Sequence, residues 1–314
     1  MANALDPHKL RTVHLVPLTA FTSAGHIDQD AQSEHSARMY AAGIRVFLPA
    51  AGTSEFHSLS ADEVVELVRI TCESTGPDAV VFAPVGFQIG HTLDVGARCL
   101  AVGASGVMFM PFVHPYLSDQ GAQDYLEQAL SDLRCPALVY KKAEIPSDEL
   151  LLRLADNPHV VGVKYAVNNM HAFRTVLLAD GGRMEWLCGT AERFAPYYML
   201  AGATGYTTGA GNLCPLLTLA MHSAFAAGEY EEGLRLQKMI VPIEDFRARE
   251  GDSYNVSMLK FGMSVVGHEF GLPRAPQRRL TTDDEHEVRR MLEPILEAES
   301  SLLAEWTSVG LASN

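Results

Sequence analysis

The sequence predicts an α/β protein built as a (β/α)8 TIM barrel with a C-terminal helical extension. Three observations predict it. Eight short β-branched or apolar runs recur along the first two-thirds of the chain. Segments of helical periodicity separate them. The first run is followed by LTAFTSAGHID, which lacks the glycine-rich turn that an open doubly wound sheet normally carries there. Strand then helix, repeated with short connections, makes parallel units, and eight such units close a barrel.

In chain order the runs are residues 13–17, 45–50, 80–85, 106–111, 137–140, 160–166, 185–190 and 205–210. Between them, SADEVVELVRITCES places Ala61, Val64, Leu67, Val68 and Cys72 on one helical face. DVGARCLAV, GAQDYLEQAL, SDELLLRLAD and AERFAPYYMLA carry the same period. After the eighth run the chain reads as helices only, over 215–228, 230–249, 255–267 and 284–305. We therefore divide it into a barrel, 1–225, and a C-terminal helical region, 226–314. GLPRAPQRRLTTDDEHE, with two prolines and a charge run, reads as a solvated loop before the last helix.

At 314 residues, 47% apolar and 20% charged, the chain can bury a large core without disulfides or metals. A formal net charge of −14 disfavours nucleic acid or an anionic membrane as partner, but not a small anion held by local donors. The scattered cysteines Cys72, Cys99, Cys135, Cys188 and Cys214 read as reduced, buried thiols. MANALDPHKLRT lacks the apolar run of a signal peptide, and no apolar stretch is long enough to span a bilayer. The expected location is the cytoplasm. His57, His91, His114 and His159 fall in separate segments without metal-ligand spacing, so no metal site is expected. Neither a GxSxG elbow nor a phosphate-binding GxxxxGKS loop is present.

Active sites of such barrels lie at the carboxyl ends of the strands. There Lys164 ends HVVGVK, where burial would lower its pKa and free the amine to attack a carbonyl; the other reading is a lysine that snorkels or pairs with a carboxylate. Tyr140 ends CPALVY on the preceding strand, either as a proton relay beside Lys164 or as an aromatic capping a barrel layer. Gly52, Thr53, Ser54 and Glu55 offer amides and hydroxyls to a carboxylate, or cap the next helix. Thr207 and Thr208 in GYTTGAGN add hydroxyls to the same carboxylate, or belong to a glycine-rich turn that holds no ligand.

VPLTAFTSAGHID, AGTSEFHSLSADE, ALVY, VVGVKYAVNN and GTAERFAPYYMLAGATGYTTGAGNLCP, in this order, resemble the family of dihydrodipicolinate synthase and N-acetylneuraminate lyase. The resemblance spans most of the barrel. It implies that Lys164 forms an imine with a 2-oxo acid, that Tyr140 relays protons, and that Thr53 and its neighbours hold the carboxylate. Lys164, Tyr140 and Thr53 are thus the expected catalytic set, and Gly52, Ser54, Gly189, Thr207 and Thr208 the expected binding set. Lysine itself performs the activation, so no cofactor or metal is implied. A homotetramer or homodimer is implied as the assembly.

Three positions depart from the synthase pattern. Gly52 stands where the synthase has the first of two threonines, Ile145 where it has an arginine, and Val113 where it has an aromatic, with Tyr116 nearby. Lys141 and Lys142 are the alternative source of charge for the arginine. GTSEFHSLS and GTAERFAP are closer to the 5-dehydro-4-deoxyglucarate dehydratase branch, which implies a hydro-lyase of sugar-acid catabolism. Pyruvate-dependent condensation with an aldehyde is the second reading, and a non-catalytic metabolite-binding barrel the third.

Overall fold

The computed structural model describes the backbone of residues 5–311 and the side chains of residues 5–305. Residues 1–4 of the amino-terminal segment and 312–314 of the C-terminal region lie outside it. Eight parallel strands close in sequence order, with β1 paired to both β2 and β8. They are β1 (Val13–Leu15), β2 (Val46–Phe47), β3 (Val80–Val85), β4 (Gly106–Phe109), β5 (Ala137–Lys141), β6 (Val160–Tyr165), β7 (Glu185–Cys188) and β8 (Gly205–Thr208). Every expected run forms a strand, and most end earlier than expected. Their last residues leave the ladder to build the loops over the barrel mouth.

The ring helices are α1 (Gln29–Ala41), α2 (Ala61–Ser74), α3 (Ile89–Ala101), α4 (Asp119–Leu133), α5 (Asp148–Leu154), α6 (Met170–Asp180), α7 (Ala191–Ala201) and α8 (Pro215–Ala226). Side chains fix their starts. Asp28, Ser118, Ser147 and Asn169 each accept a backbone N–H in the first turn of α1, α4, α5 and α6. Ser60 and Glu63 cap α2 reciprocally. The helical period had not singled out α1 or α6. In α1 the buried face is largely polar, Gln32, His35 and Ser36 beside Met39, so its amphipathic signal is weak.

Three longer helices follow, α9 (Tyr230–Arg247), α10 (Asn255–Val265) and α11 (Thr282–Leu311), with a short kinked turn at Arg249–Asp252 between the first two. The first packs on α7 and α8, and α11 packs across α8, α9 and α10. Between α10 and α11 the charged segment is not a free loop. Arg274 pairs with Glu63, donates to the Ser58 carbonyl at 2.9 Å and covers the ring of Phe21 at 4.1 Å. Arg274 finds its partner on α2 and Arg278 pairs with Glu250, so these two charges hold the strap while Arg279 and Asp283 stay exposed.

Strand side chains alternate between two cores. Val16, Leu48, Phe82, Met108, Leu138 and Leu187 fill the barrel, while Val13, Phe47, Val81, Val107, Val139 and Cys188 face the helices. In β6 the alternation is broken once. Ala137 pairs with Val160 and Leu138 with Gly162, so Val161 is an extra residue without a partner on β5. This bulge resets the parity: Val160 and Val163 face the helices, and Lys164, opposite Tyr140, faces inward. Without it Lys164 would point at the helices.

Asn212 closes the seam between β1 and β8. Its Oδ1 accepts from the Leu18 amide at 2.9 Å and lies 2.8 Å from His35 Nε2. Its Nδ2 donates to the carbonyls of Val16 (3.0 Å) and Gly209 (2.8 Å). Arg38 donates to His35 Nδ1 at 2.9 Å, so the Nε2 carries the proton given to Asn212. Burial keeps His35 neutral, at a pKa of about 3.

Candidate active site

The carboxyl ends of the strands surround a cavity of about 850 Å3. On β5 the period of two sends Tyr140 and Lys142 into it and Lys141 outward. Lys141 is consumed there. Its Nζ donates to the carbonyls of Ala143 (3.1 Å), Glu144 (3.0 Å) and Pro146 (2.6 Å) and lies 3.6 Å from the Asp148 carboxylate. Of the two lysines offered as a source of charge, only Lys142 reaches the cavity.

Lys164 projects from β6, 4% exposed, with its Nζ 4.1 Å from the centre of the Tyr140 ring. Burial is the main reason its pKa falls to about 7, and the positive charges of Lys142 and Arg247 add to the fall. A large share of the amine is therefore unprotonated at neutral pH. Burial, reinforced by the Asp252 carboxylate, raises Tyr140 to about 12, which keeps it a phenol. The amine lies over the ring face; among the described residues neither it nor the hydroxyl makes a hydrogen bond. Both remain available to a substrate.

The segment after β2 folds back tightly. Glu55 takes a left-handed conformation (φ 70°), and the amides of Glu55 and Phe56 return to the carbonyls of Gly52 and Ala51, both at 3.1 Å. Among the described residues the amides of Thr53 and Ser54 have no partner, as an anion-binding turn requires. The Thr53 hydroxyl accepts from Arg247 Nη2 at 3.2 Å and donates to Asn255 Oδ1 at 3.3 Å. Ser54 departs from expectation: it is fully buried and its hydroxyl donates to the Pro17 carbonyl, so that hydroxyl is not offered to a ligand. A Cβ on Gly52 would meet nothing within 4 Å, which leaves that side of the turn open.

Glu55, 2% exposed, anchors the turn from behind. It pairs with Lys260 of α10 at 2.7 Å and accepts the Arg274 amide at 2.8 Å. Lys260 and Arg274 each lie 4.1 Å from the Phe21 ring centre.

At β8, Thr207 lines the cavity and holds the Cys188 carbonyl loosely, at 3.4 Å. The Thr208 hydroxyl is committed elsewhere, donating to Glu192 and accepting the Gly211 amide at 2.7 Å. It supports the wall and offers no hydroxyl to a carboxylate. Glu192 is wholly buried, accepts from Thr218 at 2.7 Å, and is held above the usual carboxylate range by burial and by Glu244. Gly189 lets the lysine stem pass: a Cβ there would lie 2.9 Å from Ala166 Cβ and 3.0 Å from Lys164 Cγ.

Sequence reasoning missed the contribution of the C-terminal helices. Arg247, at the end of α9, is 4% exposed and reaches over the cavity. It is paired with Glu244 and donates to Asn255 through its Nη2 (Oδ1, 2.8 Å) and Nε (backbone carbonyl, 3.2 Å). Glu250, Gly251 and Asp252 then run through three positive-φ conformations, φ 47°, 67° and 67°. That kink brings Asp252 and Asn255 to the cavity wall. The local signal was an arginine between Phe246 and Ala248 in IEDFRAR, three residues after Glu244, which any buried ion pair would share.

The sequence model of the Dihydrodipicolinate synthetase family matches residues 9–295. A probable 5-dehydro-4-deoxyglucarate dehydratase from Ralstonia nicotianae is 29% identical, over 90% of this chain and 92% of its own length. The 5-dehydro-4-deoxyglucarate dehydratase of Pseudomonas putida is 26% identical, over 89% of this chain and 93% of its own. A crystal structure of dihydrodipicolinate synthase from Bacillus clausii superposes with a TM-score of 0.89 at 34% identity, covering 92% of this chain and 98% of that one. With one family model running through the whole barrel and into the last helix, this chain belongs to the dihydrodipicolinate synthetase family and is a lyase of the class I aldolase type.

Proposed function

We propose that the protein is a 5-dehydro-4-deoxyglucarate dehydratase-like hydro-lyase that works through an imine on Lys164. The observation that carries this is the buried Lys164 amine, poised near neutrality over Tyr140 in the same cavity that Gly52 and Thr53 of the turn line. The 2-oxo acid's C1 carboxylate docks on the amides of that turn. Lys164 adds to the C2 ketone, and the carbinolamine loses water to give a protonated imine, with Tyr140 relaying the protons. The imine draws off a C3 proton. The resulting enamine expels the C4 hydroxyl, which leaves as water on taking a proton, and hydrolysis of the imine restores Lys164.

Lysine supplies the electrophilic activation, so the scheme needs no metal or dissociable cofactor. The names of the curated relatives support the sugar-acid substrate. A second reading, condensation of pyruvate with aspartate semialdehyde, is favoured by the 34% identity to the Bacillus clausii protein. Ile145, half-buried at the position of the synthase arginine, weighs against it. We also propose a cytoplasmic homotetramer or homodimer. Free cysteines fit a reducing compartment, and Val113 and Tyr116, 76% and 88% exposed, suit a face between copies.

Steady-state turnover of 5-dehydro-4-deoxyglucarate, beside pyruvate with aspartate semialdehyde, tests the assignment. Dehydration of the first is expected, and turnover of the second pair alone would reverse it.

A further inference from the structure

Three carboxylates line the cavity, those of Glu55, Glu244 and Asp252. Glu55 is paired with Lys260 and Glu244 with Arg247, so both are committed to holding the wall. Asp252 differs from them: it is exposed, and among the described residues its side chain makes no ion pair or hydrogen bond.

The backbone that presents this carboxylate is strained. Glu250 and Asp252 both have positive φ, which a residue with a side chain adopts only where its surroundings impose it. Here the chain is tied down on each side. Arg249 pairs with Glu287 of α11, Glu250 with Arg278 of the strap, and Asn255 Oδ1 accepts from Arg247 Nη2 at 2.8 Å. The Asp252 amide returns only to the Ala248 carbonyl, at 3.4 Å. Its neighbours are thus anchored to other elements, and Asp252 alone is left at the cavity without a partner.

Depth decides which part of a ligand it meets. Lys164 is buried and Asp252 exposed, so a chain joined to the lysine through its ketone carbon runs from the floor toward the rim where Asp252 stands. The Tyr140 phenol feels the Asp252 charge, so the carboxylate overlooks the catalytic pair. An ionised carboxylate accepts hydrogen bonds and donates none. An anionic group beside it would meet like charge, and a hydrocarbon would leave it only water. A hydroxyl supplies the donor it lacks. Counted from the C1 carboxylate, the proposed substrate carries hydroxyls at C4 and C5; the first leaves, and the second stays on the chain through the dehydration.

We propose that Asp252 is a specificity-determining residue that accepts a hydrogen bond from the C5 hydroxyl, so the site selects 2-oxo acids hydroxylated beyond the reacting carbons over unsubstituted chains. The inference rests on the reading of Lys164 as the imine-forming residue. A hydrogen bond of this kind at the rim changes affinity about ten-fold.

The test uses a matched pair of six-carbon acids, 5-hydroxy-2-oxohexanoate and 2-oxohexanoate, neither of which has a C4 hydroxyl to lose. Half-saturation of borohydride-trapped adduct is measured by intact mass for wild type, Asp252→Gly and Asp252→Asn. Glycine and asparagine both accept positive φ, so the kink is kept. The readout is the ratio of the two half-saturation values, compared between proteins, in which any difference in free ketone between the two acids cancels. The preference for the hydroxylated acid is expected to fall about ten-fold in Asp252→Gly and less in Asp252→Asn, which keeps an acceptor oxygen. An unchanged ratio in Asp252→Gly, including the case where both acids weaken together because the residue only shapes the kink, overturns the proposal and leaves the imine reading standing. Absence of any adduct in wild type overturns both. A ratio that falls as expected in an enzyme that does not turn over 5-dehydro-4-deoxyglucarate supports the proposal and removes the assignment.

Discussion

Lys164 and Tyr140 are cross-strand partners on β6 and β5, and the lysine Nζ lies 4.1 Å from the centre of the tyrosine ring. The pairing exists because Val161 is an unpaired extra residue in β6, which turns Lys164 into the barrel. Unbroken alternation of the same residues from Val160 would aim the amine at the helices, whereas deleting Val161 would keep Lys164 opposite Tyr140. Chemistry and packing therefore meet in one register choice.

The rate of imine formation should rise with pH through an inflection near 7, the pH at which the Lys164 amine loses its proton. The same shift has a stability sign. The folded-state pKa lies below the unfolded one, so the unfolded chain binds the extra proton between about 7 and 10.5, and stability rises with pH across that window. Lys164→Met should therefore melt higher than wild type, with the largest gain below pH 7. Thermal melts at pH 6 and pH 10 check this; an equal gain at both would show that burial does not depress the lysine.

Gly189→Ala should slow adduct formation far more than it destabilises the fold. The added methyl falls 3.0 Å from Lys164 Cγ and 2.9 Å from Ala166 Cβ, so the lysine stem must shift. An overpacking cost of about 1–3 kcal/mol is expected in denaturant titration. Wild-type trapping kinetics in this variant would mean that the stem has room to spare.

Behind the carboxylate turn, Glu55 and Lys260 form a pair with side chains 0% and 2% exposed. Lys260→Met strands a buried carboxylate and should cost about 3–5 kcal/mol, whereas the double change Glu55→Leu with Lys260→Met should recover much of that. Both should weaken 2-oxo acid binding, because Glu55 also holds the Arg274 amide and the back of the turn. A Lys260→Met variant as stable as wild type would remove the anchor from this account.

Glu192 is held above its ordinary range by burial. The folded state therefore retains a proton that the unfolded chain releases above about pH 4.5, and stability falls as pH rises through that shift. Glu192→Gln keeps an acceptor for Thr208 and Thr218 without the charge. Its melting temperature should exceed that of wild type at pH 8, and the gap should narrow at pH 5. A gap that widens on acidification would show that Glu192 is ionised in the folded protein.

Much of this was legible in the sequence, for identifiable reasons. Strands and most helices declared themselves because apolar periodicity is a local property, and Lys164, Tyr140 and the 52–55 turn stood out because barrel topology says where strand ends point. Helix α1 was missed because it buries Gln32, His35 and Ser36; Gln32 accepts the Ala20 amide and Ser36 bonds back to Gln32, while the partner of His35 lies far along the chain at Asn212. Arg247, Asn255 and Asp252 were missed for a related reason. They reach the site from outside the barrel through a left-handed kink, and neither long-range pairing nor that kink leaves a periodic trace. Ser54 and Thr208 were read by residue type alone, which cannot tell a hydroxyl that faces a ligand from one that secures the backbone behind it.

The central claim is the covalent imine at Lys164. Intact-mass and peptide mass spectrometry after borohydride treatment with pyruvate, comparing wild type with Lys164→Ala, test it most directly. The account predicts one reduced adduct per wild-type chain, mapped to Lys164, and none in the variant. An adduct that persists in Lys164→Ala, or its absence from wild type across pH 6 to 9, would contradict it.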